Sequence, residues 1–137
     1  MILGLGSRRL VGKSTVARYM VECNGFIELP FAKALKDAFG RAIFDLNDYQ
    51  LEGPGKSEVD PFWGLTPRRL LQLGGTEAGR HIFGDDIWIR VVRRKILKDP
   101  HLDYVIPDVR FLNEAEAVKS WGGVLVKIER DVPFDPA

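Results

Sequence analysis

The run Ser7-Arg8-Arg9-Leu10-Val11-Gly12-Lys13-Ser14 sets a lysine and a hydroxyl directly after a glycine and comes close to GxxxxGK[ST]. In that pattern successive backbone N–H groups surround the phosphates of a nucleotide. The lysine, here Lys13, reaches the β and γ groups, and the hydroxyl, here Ser14, holds Mg²⁺. Ser7 stands where the pattern has its first glycine, and Gly6 comes one residue early. A serine driven to positive φ there would carry a steric cost that glycine avoids. The competing reading is an ordinary strand-to-helix turn with an exposed lysine.

Two further groups fit anion chemistry. Twelve of the 20 basic residues are arginine, and they concentrate at Arg8, Arg9, Arg68, Arg69, Arg80, Arg90, Arg93, Arg94 and Arg110. Arginine grips phosphate bidentately, whereas lysine acts as a point charge. Arg90, Arg93 and Arg94 read equally well as solvated helix charges. Asp108 and Arg110 close an apolar strand, at the edge where doubly wound sheets bind ligands. Asp108 there could hold a metal-bound water, pair with Lys13 or orient Arg110, or form a plain strand-end salt bridge.

Strands and helices must position these groups. Met1-Ile2-Leu3-Gly4-Leu5 is a short apolar run that suits a strand buried on both faces. Lys13 to Cys23 carries Val16, Met20 and Cys23 on one helical stripe, and Asn24-Gly25 ends it. Phe26 to Leu29 is a second short strand, and Ala32 to Phe44 repeats apolar residues at helical spacing. Residues 45–65 hold a short helix and the turn-former Gly53-Pro54-Gly55, and are expected to form a mobile insert on the substrate side. Thr66-Pro67 is a helix start, Thr as cap and Pro at the first position. Gly74-Gly75 should weaken its far end. Asp85 and Asp86 open a helix through Lys98, with acid and base ordered as the helix dipole prefers. A strand over 103–108, a helix over 113–121 closed by Gly122-Gly123, and a strand over 124–128 complete the chain. The alternation predicts one three-layer α/β domain, with a mostly parallel sheet flanked by helices.

Composition supports one folded core. The chain has 137 residues, 45% hydrophobic and 28% charged, a length at which roughly two-thirds of the extended surface can be buried. The formal charge of +1 supplies no general field for nucleic acid or an anionic membrane, so any anion site must be local. Cys23 is the one cysteine and cannot form an internal disulfide, and the first residues lack the features of a secretory signal, which together point to the cytoplasm. No apolar run approaches the length of a membrane span.

The phosphate loop, PFAKALKDAF, TPRRLLQLGGTEAGRHIFGDDIW and YVIPDVRFLNEAEAV occur in this order and at compatible spacing. Together they resemble the bacteriophage-type deoxynucleoside monophosphate kinases, over Met1 to about Arg130. The resemblance implies a P-loop NTPase-like fold and transfer of the ATP γ-phosphoryl group, with Mg²⁺, to a deoxynucleoside monophosphate. It makes Gly12, Lys13, Ser14 and Thr15 the ATP-phosphate cradle, Ser14 and Asp108 the metal holders, and Arg9 a loop residue able to face the acceptor phosphate. Lys36, Arg68, Arg69, Gln72 and Thr76 would face the acceptor, Trp88 would pack against its base, and Asp108, Arg110 and Glu114 would complete the site. Each has a plainer reading: Trp88 as core, Gln72 bonded to backbone, Thr76 as a cap, Lys36 in solvent. Relatives commonly carry an arginine just before the small residue and Gly-Lys, where this chain has Leu10-Val11. The family's closing strand and helix are expected to be absent from this chain. A homodimer and, for a phage protein, the host cytoplasm follow from the same resemblance. Another small-molecule P-loop kinase and an inactive nucleotide-binding module remain the alternatives.

Overall fold

The computed structural model describes residues 1–7 and 13–128. It forms two compact units, one of residues 1–30 and 94–137 and the other of Phe31–Arg93. The first unit holds strands β1 (Ile2–Ser7), β2 (Ile27–Glu28), β3 (Tyr104–Val109) and β4 (Val124–Ile128), with helices α1 (Lys13–Asn24) and α7 (Leu112–Ser120). The second holds α2 (Ala32–Leu35), α3 (Asp48–Leu51), α4 (Pro67–Gln72) and α5 (His81–Phe83), and α6 (Ile87–Lys98) crosses the boundary.

All strand pairs of the sheet are parallel, in the order β2-β3-β1-β4. β1 is therefore enclosed by β3 and β4, as its short apolar sequence requires. Leu3, Leu5 and Val105 pack against Ala17 and Val16 of α1. Gly4 points to the opposite face, where a Cβ would lie 2.9 Å from Leu125 Cδ2 and 3.2 Å from Val118 Cγ1 of α7. The two helices thus cover opposite faces and make three layers. Leu5, Val105, Ile106 and Val118 are wholly inaccessible to solvent, and burying each such side chain stabilises the unit by about 1.5–3 kcal/mol.

β3 departs from regular pairing near its end. Gly4 pairs with Ile106 but Gly6 with Val109, so Pro107 and Asp108 together oppose Leu5 in a bulge. Proline has no N–H to give to a ladder, which makes a bulge the natural place for it. The bulge bends the strand at the residue carrying the carboxylate. Ser7 ends β1 paired with Ile128. It takes no left-handed conformation: among the described residues Asp45 is the one non-glycine with positive φ, so the strain considered for Ser7 does not arise.

In the second unit α2 runs directly into a π-helical stretch, Lys36–Ile43, closed by Phe44 N–H donating to the Phe39 carbonyl at 2.9 Å. α4 likewise continues as a π-helical stretch, Leu73–Arg80, and then α5. The helix continues through Gly74-Gly75, but its winding changes from α to π there. These glycines are buried, and a Cβ on Gly74 or Gly75 would come within 2.7 Å of Phe39 Cδ1 or 2.8 Å of Leu35 Cδ2. Close helix–helix approach outweighs the propensity cost of about 1 kcal/mol per glycine. The segment 45–65 is built from α3, a 3₁₀ turn at Pro54–Ser57 and an isolated antiparallel bridge between Asp60 and Leu65. Among the described residues no helix is long and apolar enough to cross a membrane.

Gly79 gives a test of the π winding. A Cβ there would sit 2.9 Å from the Gly74 carbonyl oxygen and 2.9 Å from Trp88 Cζ2. In an ordinary helix Gly→Ala stabilises by about 1 kcal/mol; here overpacking against backbone reverses the sign. Gly79→Ala is expected to lower unfolding stability in urea by about 1–3 kcal/mol, and a gain in stability would contradict the winding.

Candidate active site

Because the sheet is parallel, the carboxyl ends of all its strands lie along one edge. Ser7, Val109 and Ile128 are at that edge, so the loop following β1, the turn carrying Arg110 and the end of β4 all leave from it. α1 begins directly after the loop, and its first N–H groups have no partner within the helix, which makes this end favourable for an anion. Arg9 and Gly12 lie outside the described residues, as do the side chains of Lys13 and Ser14; the backbones of the last two open α1. Thr15 follows on the first turn and is exposed.

Asp108 is half-buried in the β3 bulge, and Arg110 is exposed just beyond it. Glu114 is not an open ligand. It is only 6% exposed, and its Oε1 accepts the backbone N–H groups of both Arg110 and Phe111 at 2.9 Å. A carboxylate three residues into a helix that reaches back to the preceding amides is a capping interaction. Glu114 thereby fixes the backbone from which Arg110 projects. The acid three positions along a helix start is the signal that would have revealed this role.

In the second unit Thr66 Oγ1 accepts the Arg69 N–H at 3.1 Å and caps α4. Arg68, Arg69, Gln72 and Thr76 are all exposed, and their spacing places them along one side of the continuous helix. The other side buries Leu70, Gly74, Gly75 and Gly79. Among the described residues neither the Arg68 nor the Arg69 guanidinium makes an ion pair. Both occupy the first turn, the positive end of the helix dipole, where a cation costs about 0.3–1 kcal/mol. Lys36 is held to Glu52, its Nζ 3.2 Å from both carboxylate oxygens.

Trp88, read either as a platform for a nucleobase or as core, is half-buried. Its Nε1–H donates to the Gly75 carbonyl at 3.2 Å, and its ring meets Phe39 edge to face at 6.3 Å. The aromatic series continues outward from Phe39 to Phe44, from Phe44 to Trp63 at 5.4 Å, and from Trp63 to Phe62 at 4.8 Å. Trp63 Nε1–H donates to the Phe44 carbonyl at 2.9 Å. Asp60 anchors the turn by accepting the N–H groups of Phe62 and Trp63 and the Gln50 amide. The Gln50 bond foremost, then the backbone bonds, holds its carboxyl below the usual range. A lowered carboxyl stabilises the fold above its unfolded value and loses that contribution only as pH falls through the lowered one. The turn is therefore pinned throughout neutral and mildly acidic conditions.

A parallel α/β unit with a lysine- and serine-headed helix after its central strand, and an acid and an arginine at the neighbouring strand end, defines a nucleotide-phosphate-binding domain of the P-loop kind. No protein-family model matches the chain. It is 37% identical over 147 aligned positions to the "Putative deoxynucleotide monophosphate kinase" of Acanthamoeba polyphaga mimivirus, an alignment covering 95% of this chain and 74% of that protein. It is also 39% identical over 74 positions to the deoxynucleoside-5'-monophosphate kinase of Escherichia phage T5, covering 54% of this chain and 30% of the phage protein. The chain belongs to the deoxynucleoside monophosphate kinase family, a family of phosphotransferase enzymes.

Glu114 yields a direct test. Glu114→Ala leaves two backbone donors without their acceptor and is expected to cost about 1–3 kcal/mol in urea unfolding. Glu114→Gln keeps an acceptor oxygen and should lose distinctly less. Equal losses for the two variants would show that packing, not capping, is what the residue supplies.

Proposed function

We propose that the protein transfers the γ-phosphoryl group of ATP to the 5′-phosphate of a deoxynucleoside monophosphate, yielding ADP and the diphosphate. The observation that carries this reading is the match to the mimivirus kinase over nearly the whole chain. The parallel sheet edge that presents the loop after β1 supports it. An oxygen of the acceptor phosphate attacks the γ-phosphorus while the bond to the β–γ bridging oxygen breaks, and ADP carries that oxygen away.

Such a transfer demands placement and charge neutralisation more than a base. Backbone amides of the loop with Gly12, together with Lys13, Ser14 and Thr15, would cradle the donor phosphates. Arg9 and Arg110 would neutralise charge around the transferred group, with the Arg110 backbone fixed by Glu114. Arg68 and Arg69 would take the acceptor phosphate bidentately, and a phosphate there also removes their unfavourable standing against the helix dipole. Lys36, exchanging Glu52 for a ligand, would add charge, while Gln72 and Thr76 offer hydrogen bonds to the nucleoside. Trp88 supports this helix from within.

The donor set suits a hard cation. Asp108 offers carboxylate oxygen and Ser14 a hydroxyl, the oxygen ligands that Mg²⁺ takes alongside substrate phosphates. When bound, Mg²⁺ neutralises phosphate charge and orients the γ group for displacement.

A coupled ADP-release assay with ATP, Mg²⁺ and each common deoxynucleoside monophosphate tests the reading. Turnover should depend on the acceptor. Lys13→Ala should abolish it with the circular dichroism spectrum unchanged. Arg69→Ala should raise KM for the monophosphate by about tenfold or more, the worth of one charge-assisted bond. ATP binding without acceptor-dependent ADP would refute the assignment.

A further inference from the structure

The Trp88 indole N–H is bonded to the Gly75 carbonyl and its ring meets Phe39, and a more exposed aromatic is available to meet a base. Phe62 is 83% exposed, a costly placement for a phenyl ring that solvent would favour burying. It is nonetheless held in place. Its N–H is bonded to Asp60 Oδ1 at 2.8 Å, its ring stands edge-on to Trp63, and Trp63 is tied by its indole N–H to the Phe44 carbonyl. The Asp60–Leu65 bridge and Gly64, with φ of +71°, close the turn. Thr66 then caps α4 immediately before Arg68 and Arg69. The stretch from Phe62 to Arg69 therefore carries an anchored, solvent-facing ring and two guanidinium groups without ion-pair partners among the described residues.

A nucleoside monophosphate has the same two chemistries at its ends, a flat π surface and a dianion. We propose that Phe62 is the stacking platform for the nucleobase of the acceptor, with Trp63 as the positioning residue that holds its ring. The inference rests on the kinase reading for the identity of the acceptor. Trp63 carries its edge-on contact to Phe62 on one flank and Phe44 on the other, so the outward face of Phe62 is the part of the series left for a ligand. A stack of this kind needs no hydrogen-bond partner, which fits a residue with no polar group at the tip of a pinned turn.

The test compares wild type with Phe62→Ala, Phe62→Tyr and Phe62→Leu in steady-state kinetics with ATP, Mg²⁺ and the accepted deoxynucleoside monophosphates. Phe62→Ala should raise KM for the monophosphate about five- to hundredfold, the worth of a base–aromatic stack, while KM for ATP stays within about twofold. Phe62→Tyr should restore the wild-type value and Phe62→Leu should not, because a π face and not mere bulk is needed. Deoxyribose 5-phosphate, which has no base, serves as a competitive probe: its inhibition constant should be the same for wild type and Phe62→Ala. Thermal unfolding should fall by no more than a few degrees, the worth of the one edge-on contact with Trp63. An unchanged KM for the monophosphate in Phe62→Ala, or an equal loss of affinity for deoxyribose 5-phosphate, overturns the stacking role. Acceptor-independent wild-type enzyme would instead overturn the kinase reading, so the two failures are distinct.

Discussion

The parallel pairing of β1 with both β3 and β4 is the constraint on which the first unit depends. Once β1 is enclosed on both sides, its N–H and C=O groups are satisfied and its side chains are covered by α1 on one face and α7 on the other. Parallel direction then forces every loop that follows a strand to the same edge. The end of β1 at Ser7, the Asp108 bulge and Arg110 come to one edge for that reason, although they are distant in sequence. Gly4 shows how tight the arrangement is, since even a methyl group would press on Leu125 and Val118. Weakening this one pairing would disperse that edge as a whole.

The second unit solves a different problem. Its helices approach closely because glycines replace side chains at the contact: Gly40 against Leu51, Gly74 against Phe39, Gly75 against Leu35. The same approach brings Phe39 between Trp88 and Phe44 and starts the aromatic series that ends at Phe62. Aromatic pairs in edge-on geometry add about 0.5–1.5 kcal/mol each beyond their buried area. Interior packing thus sets the position of a surface ring, a link from core to surface that no local hydrogen bond would provide alone.

Much of this was legible from residue order. The apolar run of β1, the Thr66-Pro67 helix start, the acid–base polarity of α6 and the Gly25 and Gly122 stops all act within a few residues, so spacing reveals them. What depends on a partner distant in sequence was not legible. Gly74-Gly75 reads as a weak point until Phe39 and Leu35 are seen against it. Trp88 could be platform or core by its spacing, and its bond to the Gly75 carbonyl appears only once the chain is folded. Pro107 inside an apolar strand was the one local mark of the bulge, since proline cannot serve a regular ladder. Glu114 carried a capping signature that its nearness to Arg110 obscured.

Charge placement separates Arg68 and Arg69 from the other basic residues more sharply than exposure does. Arg94, Lys95 and Lys98 lie toward the carboxyl end of α6, where the dipole favours cations and folding alone accounts for them. Arg41 is answered by Asp48 at 2.7 Å, and Lys33 by Asp37 at 2.8 Å. Among the described residues Arg68 and Arg69 have neither compensation: they stand at the positive end of a helix, exposed to solvent. A fold optimised for stability alone would place acid there. Two adjacent cations at that position lower the stability of the protein slightly, and the same electrostatics, with opposite sign, would favour a bound dianion. The disfavoured placement is the electrostatic ground on which the proposed acceptor-phosphate role of this helix end rests.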